Sequence, residues 1–91
     1  MKGRRSNFEV VADILRVGEQ AVGKTKIMYD ANMSYHQLQR YLDLLVERGC
    51  LKRTSTDQAH TSYSVTEKGA TLLKSIDNVL EALDRRAAGK E

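Results

Sequence analysis

Proline is absent from these 91 residues, tryptophan is absent, and cysteine and phenylalanine each occur once. The lone Cys50 cannot close an internal disulfide, which agrees with a reducing compartment. It belongs to no catalytic-thiol motif, so it reads as a small buried apolar residue. His36, His60 and Cys50 show no metal-ligand spacing and cannot assemble four ligands for structural zinc. No metal and no cofactor is expected. With one Phe and no Trp, Tyr29, Tyr35, Tyr41 and Tyr63 read as core and cap residues and not as stacking platforms for a single strand. No apolar run approaches the ~18 residues that cross a bilayer. The basic start Met1-Lys2-Gly3-Arg4-Arg5 runs into Glu9 and Asp13 instead of a signal-peptide apolar stretch. The expectation is one small cytoplasmic domain with no membrane partner and a thin core that a second subunit would supplement.

What is present is charge, and its placement says more than its total of +3. From Met1 to Lys26 there are six basic and three acidic residues, whereas from Thr66 onward there are five of each. The excess falls in the first 26 residues and at Lys52-Arg53, where it can meet phosphates. The balanced last quarter suits a solvated helix or a protein contact.

Without proline, segmentation rests on period and caps. Ser6-Asn7-Phe8-Glu9 fits a capping box that starts a first helix. Phe8, Val11, Ile14, Leu15 and Val17 cover most of its circumference beside a polar stripe of Glu9, Asp13, Arg16 and Gln20, so this helix is expected to be largely buried. A short second helix is expected from about Lys24 to Ala31. Asn32-Met33 forms a tight connection, and Ser34 caps a third helix that runs to Arg48 and stops at Gly49. Leu38, Tyr41, Leu42 and Leu45 of that helix fall within about 60° of one another and face the core. His36, Arg40, Asp43 and Glu47 face outward, flanked by Gln37, Gln39 and Leu44. Cys50 to Thr54 and Thr61 to Val65 then have the short, alternating character of two strands joined by a polar tip. Thr66 caps a last helix carrying Leu72, Leu73, Ile76, Val79, Leu80 and Leu83. These six aliphatics can seam to another helix. They can also pack on their own domain, but they are more than four core elements need, which favours a dimer.

Three helices followed by a hairpin is the order of a winged helix-turn-helix, whose third helix enters a major groove while the hairpin lies along the backbone. For DNA, Ser34 and Tyr35 suit phosphates at the helix start, and His36, Gln37, Gln39 and Arg40 suit base edges. Lys24, Thr25 and Lys26 can clamp the backbone from the second helix, and Lys52, Arg53 and His60 from the wing. Asp43 and Glu47 repel phosphate, so contact should concentrate in the N-terminal half of the third helix.

The run from Lys24 to Tyr35, with its Lys-Thr-x-Ile-Met-Tyr-x-Ala-Asn-x-Ser-Tyr pattern, is followed by Leu38, Arg40, Tyr41 and Leu42. It resembles the archaeal winged helix-turn-helix DNA-binding family that includes the ten-kilodalton chromatin-type protein of Sulfolobus. Val65-Thr66-Glu67-Lys68-Gly69 is similar to that family's entry to its C-terminal helix, and the resemblance covers roughly Ser6 to Leu83. It implies homodimers joined by an antiparallel coiled coil of the last helices, presenting two winged heads. This chain departs in a last helix that ends by about Ala88, shorter than the chromatin-type rod.

The expected architecture is therefore mainly α with a small β-hairpin. Residues 1–65 form a winged helix-turn-helix and residues 66–91 a dimerisation helix. The expected function is a nucleoid-associated, non-enzymatic homodimer on double-stranded DNA, either a transcriptional regulator or a chromatin-organising factor. The alternative is a protein-interaction winged helix without DNA binding. One string points elsewhere: Gly18 to Thr25 matches the phosphate-loop pattern G-x-x-x-x-G-K-[ST]. That loop needs a buried strand before it and a parallel sheet around it, yet the preceding segment is helical, so no nucleotide is expected.

Overall fold

Ser6 sets the first helix: in the computed structural model, which describes residues 6–55 and 61–83, its hydroxyl accepts from the Glu9 amide at 3.2 Å. Its own amide donates to Glu9 Oε1 at 2.8 Å, completing the capping box. Helix α1 (Asn7–Val17) ends at Gly18, which is buried and whose carbonyl accepts from the Val65 amide at 2.9 Å. A two-residue strand β1 (Val22–Gly23) leads into helix α2 (Lys24–Asp30). Asn32, at φ 55°, turns the chain into helix α3 (Tyr35–Glu47), capped by the Ser34 hydroxyl on the Gln37 amide at 3.2 Å. Asn tolerates this left-handed backbone better than most residues. Gly49, at φ 80°, ends the α3 segment in the conformation that favours glycine.

Strands β2 (Leu51–Ser55) and β3 (Thr61–Val65) pair antiparallel, with Leu51 opposite Val65 and Arg53 opposite Tyr63. The hairpin is where the sequence placed it, with β2 one residue later at each end. Strand β1 adds to the other side of β3, setting Val22 opposite Tyr63, so the sheet has three strands in the order β1-β3-β2. Two residues show no period, which is why the pattern revealed a hairpin alone.

Helix α4 (Glu67–Leu83) begins against the end of α3. The Thr66 hydroxyl donates to the Gly49 carbonyl at 2.6 Å and accepts from the Gly69 amide at 3.0 Å. Lys68 Nζ donates to the Arg48 carbonyl at 2.8 Å. The α4 backbone comes so close to Cys50 that a Cβ on Gly69 would sit 2.1 Å from the Cys50 carbonyl oxygen. This explains Thr66 and Gly69 in the run that opens the last helix: a hydroxyl that bridges two helix ends, then a residue with no side chain.

One core joins all these elements, with Ile14 and Leu15 of α1, Ile27 of α2, and Leu38 and Leu42 of α3 fully enclosed. Cys50 and Tyr63 are buried with them, as expected for both. Phe8 differs from expectation: it is 60% exposed, because α1 turns Val10, Ala12, Ile14 and Leu15 inward. The aliphatic set of α4 divides. Leu73 and Ile76 are buried in this chain's own core, while Arg16 of α1 grips Asp77 through two nitrogens at 3.2 and 3.3 Å. Leu72 and Leu80 are half-buried, and Val79 and Leu83 are exposed. The six residues therefore divide along the helix: Leu73 and Ile76 in its earlier turns reach the core of the head, while Val79 and Leu83 nearer its end do not. The expected extension of α4 to Ala88 lies outside the described residues, as does His60. No described helix is long and apolar enough to cross a membrane.

Gly69→Ala should destabilise the domain by about 2 kcal/mol or more, since the backbone of Cys50 has to move. Gly23→Ala, whose Cβ would meet nothing nearer than 3.8 Å, should cost under about 1 kcal/mol. Urea unfolding of the two variants measures both values.

Candidate nucleic-acid interface

Leu38, Leu42 and Leu45 commit one face of α3 to the core, and the helical period then turns His36, Gln37, Arg40, Asp43 and Glu47 to solvent. His36 and Arg40 have no ion-pair or hydrogen-bond partner for their side chains among the described residues, and both stand in the first half of the helix. The Tyr35 ring packs edge-on to His36, with centroids 6.3 Å apart. Ser34 is occupied as the cap. Lys52 on β2 is exposed and likewise unpartnered among the described residues.

Other residues expected at the interface are engaged with one another. Lys24, the first residue of α2, is half-buried; its ammonium lies 4.5 Å from the Tyr35 ring centroid and donates to the Tyr35 hydroxyl at 3.2 Å. The same ammonium donates to Gln39 Oε1. Gln39 Nε2 in turn donates to Asp43 Oδ1 at 3.0 Å, one helical turn on. Arg53 Nη2 donates to that same carboxylate oxygen at 2.7 Å. The Arg53 guanidinium also lies 5.5 Å from the Tyr63 ring centroid, and Tyr63 first and Asp43 second hold its pKa above the ordinary arginine value. Lys26 pairs with Asp30 at 2.8 Å along α2, while Thr25 is exposed.

Most of the expected site residues thus fall into two sets that differ in how their side chains are held. One has no hydrogen-bond or ion-pair partner among the described residues: His36, Gln37 and Arg40 on α3, with Lys52 on the wing. The other is a chain of hydrogen bonds, Tyr35–Lys24–Gln39–Asp43–Arg53, that ties α2, α3 and β2 together. Sequence reasoning missed the linking role of Asp43, reading it as a source of repulsion alone. The Gln39–Asp43 spacing of four was a usable signal, whereas the Arg53 contact depends on how the wing folds back. A groove of about 480 Å³ between α1 and α3, with Phe8, Val11, Tyr41 and Leu44 as its apolar lining, was also unread. The Tyr41 hydroxyl donates to Asn7 Oδ1 at 2.8 Å beside it.

The phosphate-loop string takes a form of its own. Gly18 caps α1, Val22 and Gly23 pair antiparallel with β3, and Lys24 and Thr25 begin a helix of seven residues. The preceding element is a helix, and the Lys24 ammonium is already bound to Tyr35 and Gln39. A phosphate loop instead follows a strand and leaves its lysine for the phosphates. Calorimetric titration with Mg-ATP should give no binding heat; micromolar affinity would contradict this geometry.

Comparison with known proteins places the arrangement. A family model described as winged helix-turn-helix matches residues 4–84. An uncharacterized protein of Methanocaldococcus jannaschii is 33% identical over 86 residues, spanning 91% of this chain and 81% of that protein. Among solved structures, Sso10a-2, a DNA-binding protein from Sulfolobus solfataricus, superposes with a TM-score of 0.85 at 32% identity, covering 94% of this chain and 90% of that one. ZitR from Lactococcus lactis, solved in complex with DNA, superposes with a TM-score of 0.66 at 19% identity over 89% of this chain and 57% of its own, a likeness of fold.

Proposed function

The chain belongs to the winged helix-turn-helix family, and from that premise we propose that it binds double-stranded DNA as a homodimer, serving as a transcriptional regulator or chromatin-organising factor without catalysis. Helix α3 enters the major groove and the β2–β3 wing lies on the backbone. The observation that carries this reading is the outward face of α3, where the side chains of His36, Gln37 and Arg40 have no hydrogen-bond or ion-pair partner among the described residues while the opposite face is locked into the core. Arg can donate two hydrogen bonds to guanine and Gln can pair with adenine, so this face has the donors for base readout. Sso10a-2, described as a DNA-binding protein, supports the same reading.

The dimer contact falls to the α4 residues that the monomer leaves uncovered: Leu72 and Leu80 in part, Val79 and Leu83 openly, with Val79 46% and Leu83 72% exposed. The winged head would then hold the DNA surface and the last turns of α4 the second copy. A protein-interaction role for the same fold draws on the same apolar face, and DNA binding separates the two.

Titration of a random-sequence duplex at two salt concentrations should show binding that weakens steeply with salt. Lys52→Ala should lower affinity for all sequences and flatten the slope of log K against log salt by about one phosphate's share. Arg40→Ala should instead reduce discrimination between enriched and random sequences, by about 1–3 kcal/mol at the base it reads. No binding at low salt would remove the DNA reading.

Light scattering at micromolar concentration should give twice the monomer mass, and Leu83→Glu should return a folded monomer. Ile76→Glu does not serve as that control: Ile76 is 5% exposed inside its own chain, so a charge there unfolds the head. A monomeric wild type would contradict the dimer.

A further inference from the structure

Asp43 sits at the crossing of the contacts described above. Its Oδ1 accepts from Arg53 Nη2 at 2.7 Å and from Gln39 Nε2 at 3.0 Å, while Lys24 holds the other end of the Gln39 amide. Two of the residues best suited to DNA, one on the wing and one on α3, are thus held by a single carboxylate oxygen. The side chains of Arg53 and Asp43 are 38% and 58% exposed, so solvent and phosphate both reach the pair. A duplex approaching this face offers Arg53 a second anionic partner. Taking that partner would leave Asp43 bare beside the phosphates, a like-charge juxtaposition that opposes the exchange. The Gln39 amide would lose the acceptor that orients it as well.

We propose that Asp43 is a positioning residue that keeps Arg53 paired with itself and off the phosphates in complexes with arbitrary duplex, and that fixes the Gln39 amide on the reading face. The inference rests on the DNA-binding reading above. Its consequence is a wing that makes one backbone contact fewer than its basic residues suggest. Affinity for arbitrary sequence is thereby held down, and more of the discrimination is left to base contacts on α3.

A double-mutant cycle on random-sequence duplex tests it, using wild type, Asp43→Ala, Arg53→Ala and the double variant, each titrated between about 50 and 200 mM salt. Asp43→Ala should tighten binding about three- to tenfold and steepen the log K against log salt slope by about 0.9, the share of one newly neutralised phosphate. In the Arg53→Ala background the same change should leave the slope where it was, and Arg53→Ala alone should move the slope by less than half as much. Asp43→Asn, of nearly the same volume, takes the place of the alanine variant if that one melts early. An equal gain with and without Arg53 would make Asp43 a bulk repulsive charge and overturn the proposal, as would an unchanged slope. Wild-type protein that binds no duplex at low salt would overturn the DNA reading itself, a result distinct from either.

Discussion

The structure depends on the confinement of one helix. Helix α3 is started by the Ser34 hydroxyl, stopped by the left-handed Gly49, and held along its length by Leu38, Leu42 and Leu45. Each buried leucine contributes about 1.5–3 kcal/mol and the cap about 1 kcal/mol. Exposed ion pairs such as Lys26–Asp30 contribute about 0–1 kcal/mol each. The comparison separates two jobs. Burial and capping fix which face of α3 looks outward, and the weak polar contacts decide only how the side chains on that face are arranged. An outward face built in this way keeps its place whatever partners its side chains take.

The last helix shows the same division of labour along its own length. Its first turns are pinned to the winged head by Thr66 across Gly49, by Gly69 against Cys50, and by Leu73 and Ile76 in the common core. Beyond Asp77 only Leu80 still packs against that core, and Val79 and Leu83 are uncovered. A domain with so thin a core gains from covering them, which links the stability of the head to the proposed second copy.

Local chemistry accounts for what the sequence revealed. The Ser6 capping box, the Ser34 cap, the Gly49 stop and the hairpin strands all depend on residues within a few positions of each other, and all were legible. So was Cys50 as a core residue. Strand β1 was not, because two residues carry no period and their pairing with β3 is set by the long return of the chain. Phe8 and the division of the α4 aliphatics were misjudged for a related reason. A helical wheel tells which residues share a face, but the tilt of α1 against α4 decides which face is covered. At the interface, residue types were readable and partners were not. Lys24, Gln39 and Arg53 looked free for DNA, but the fold brings α2, α3 and β2 close enough for them to meet each other through Asp43.

Whether the N-terminal half of α3 and the wing bind DNA while the end of α4 faces protein is decided by following backbone and side-chain NMR shifts of labelled protein as duplex DNA is added. The largest changes should fall on His36, Gln37, Arg40 and Lys52, with Val79 and Leu83 unmoved. Changes concentrated on α4, or none at low salt, would contradict this assignment.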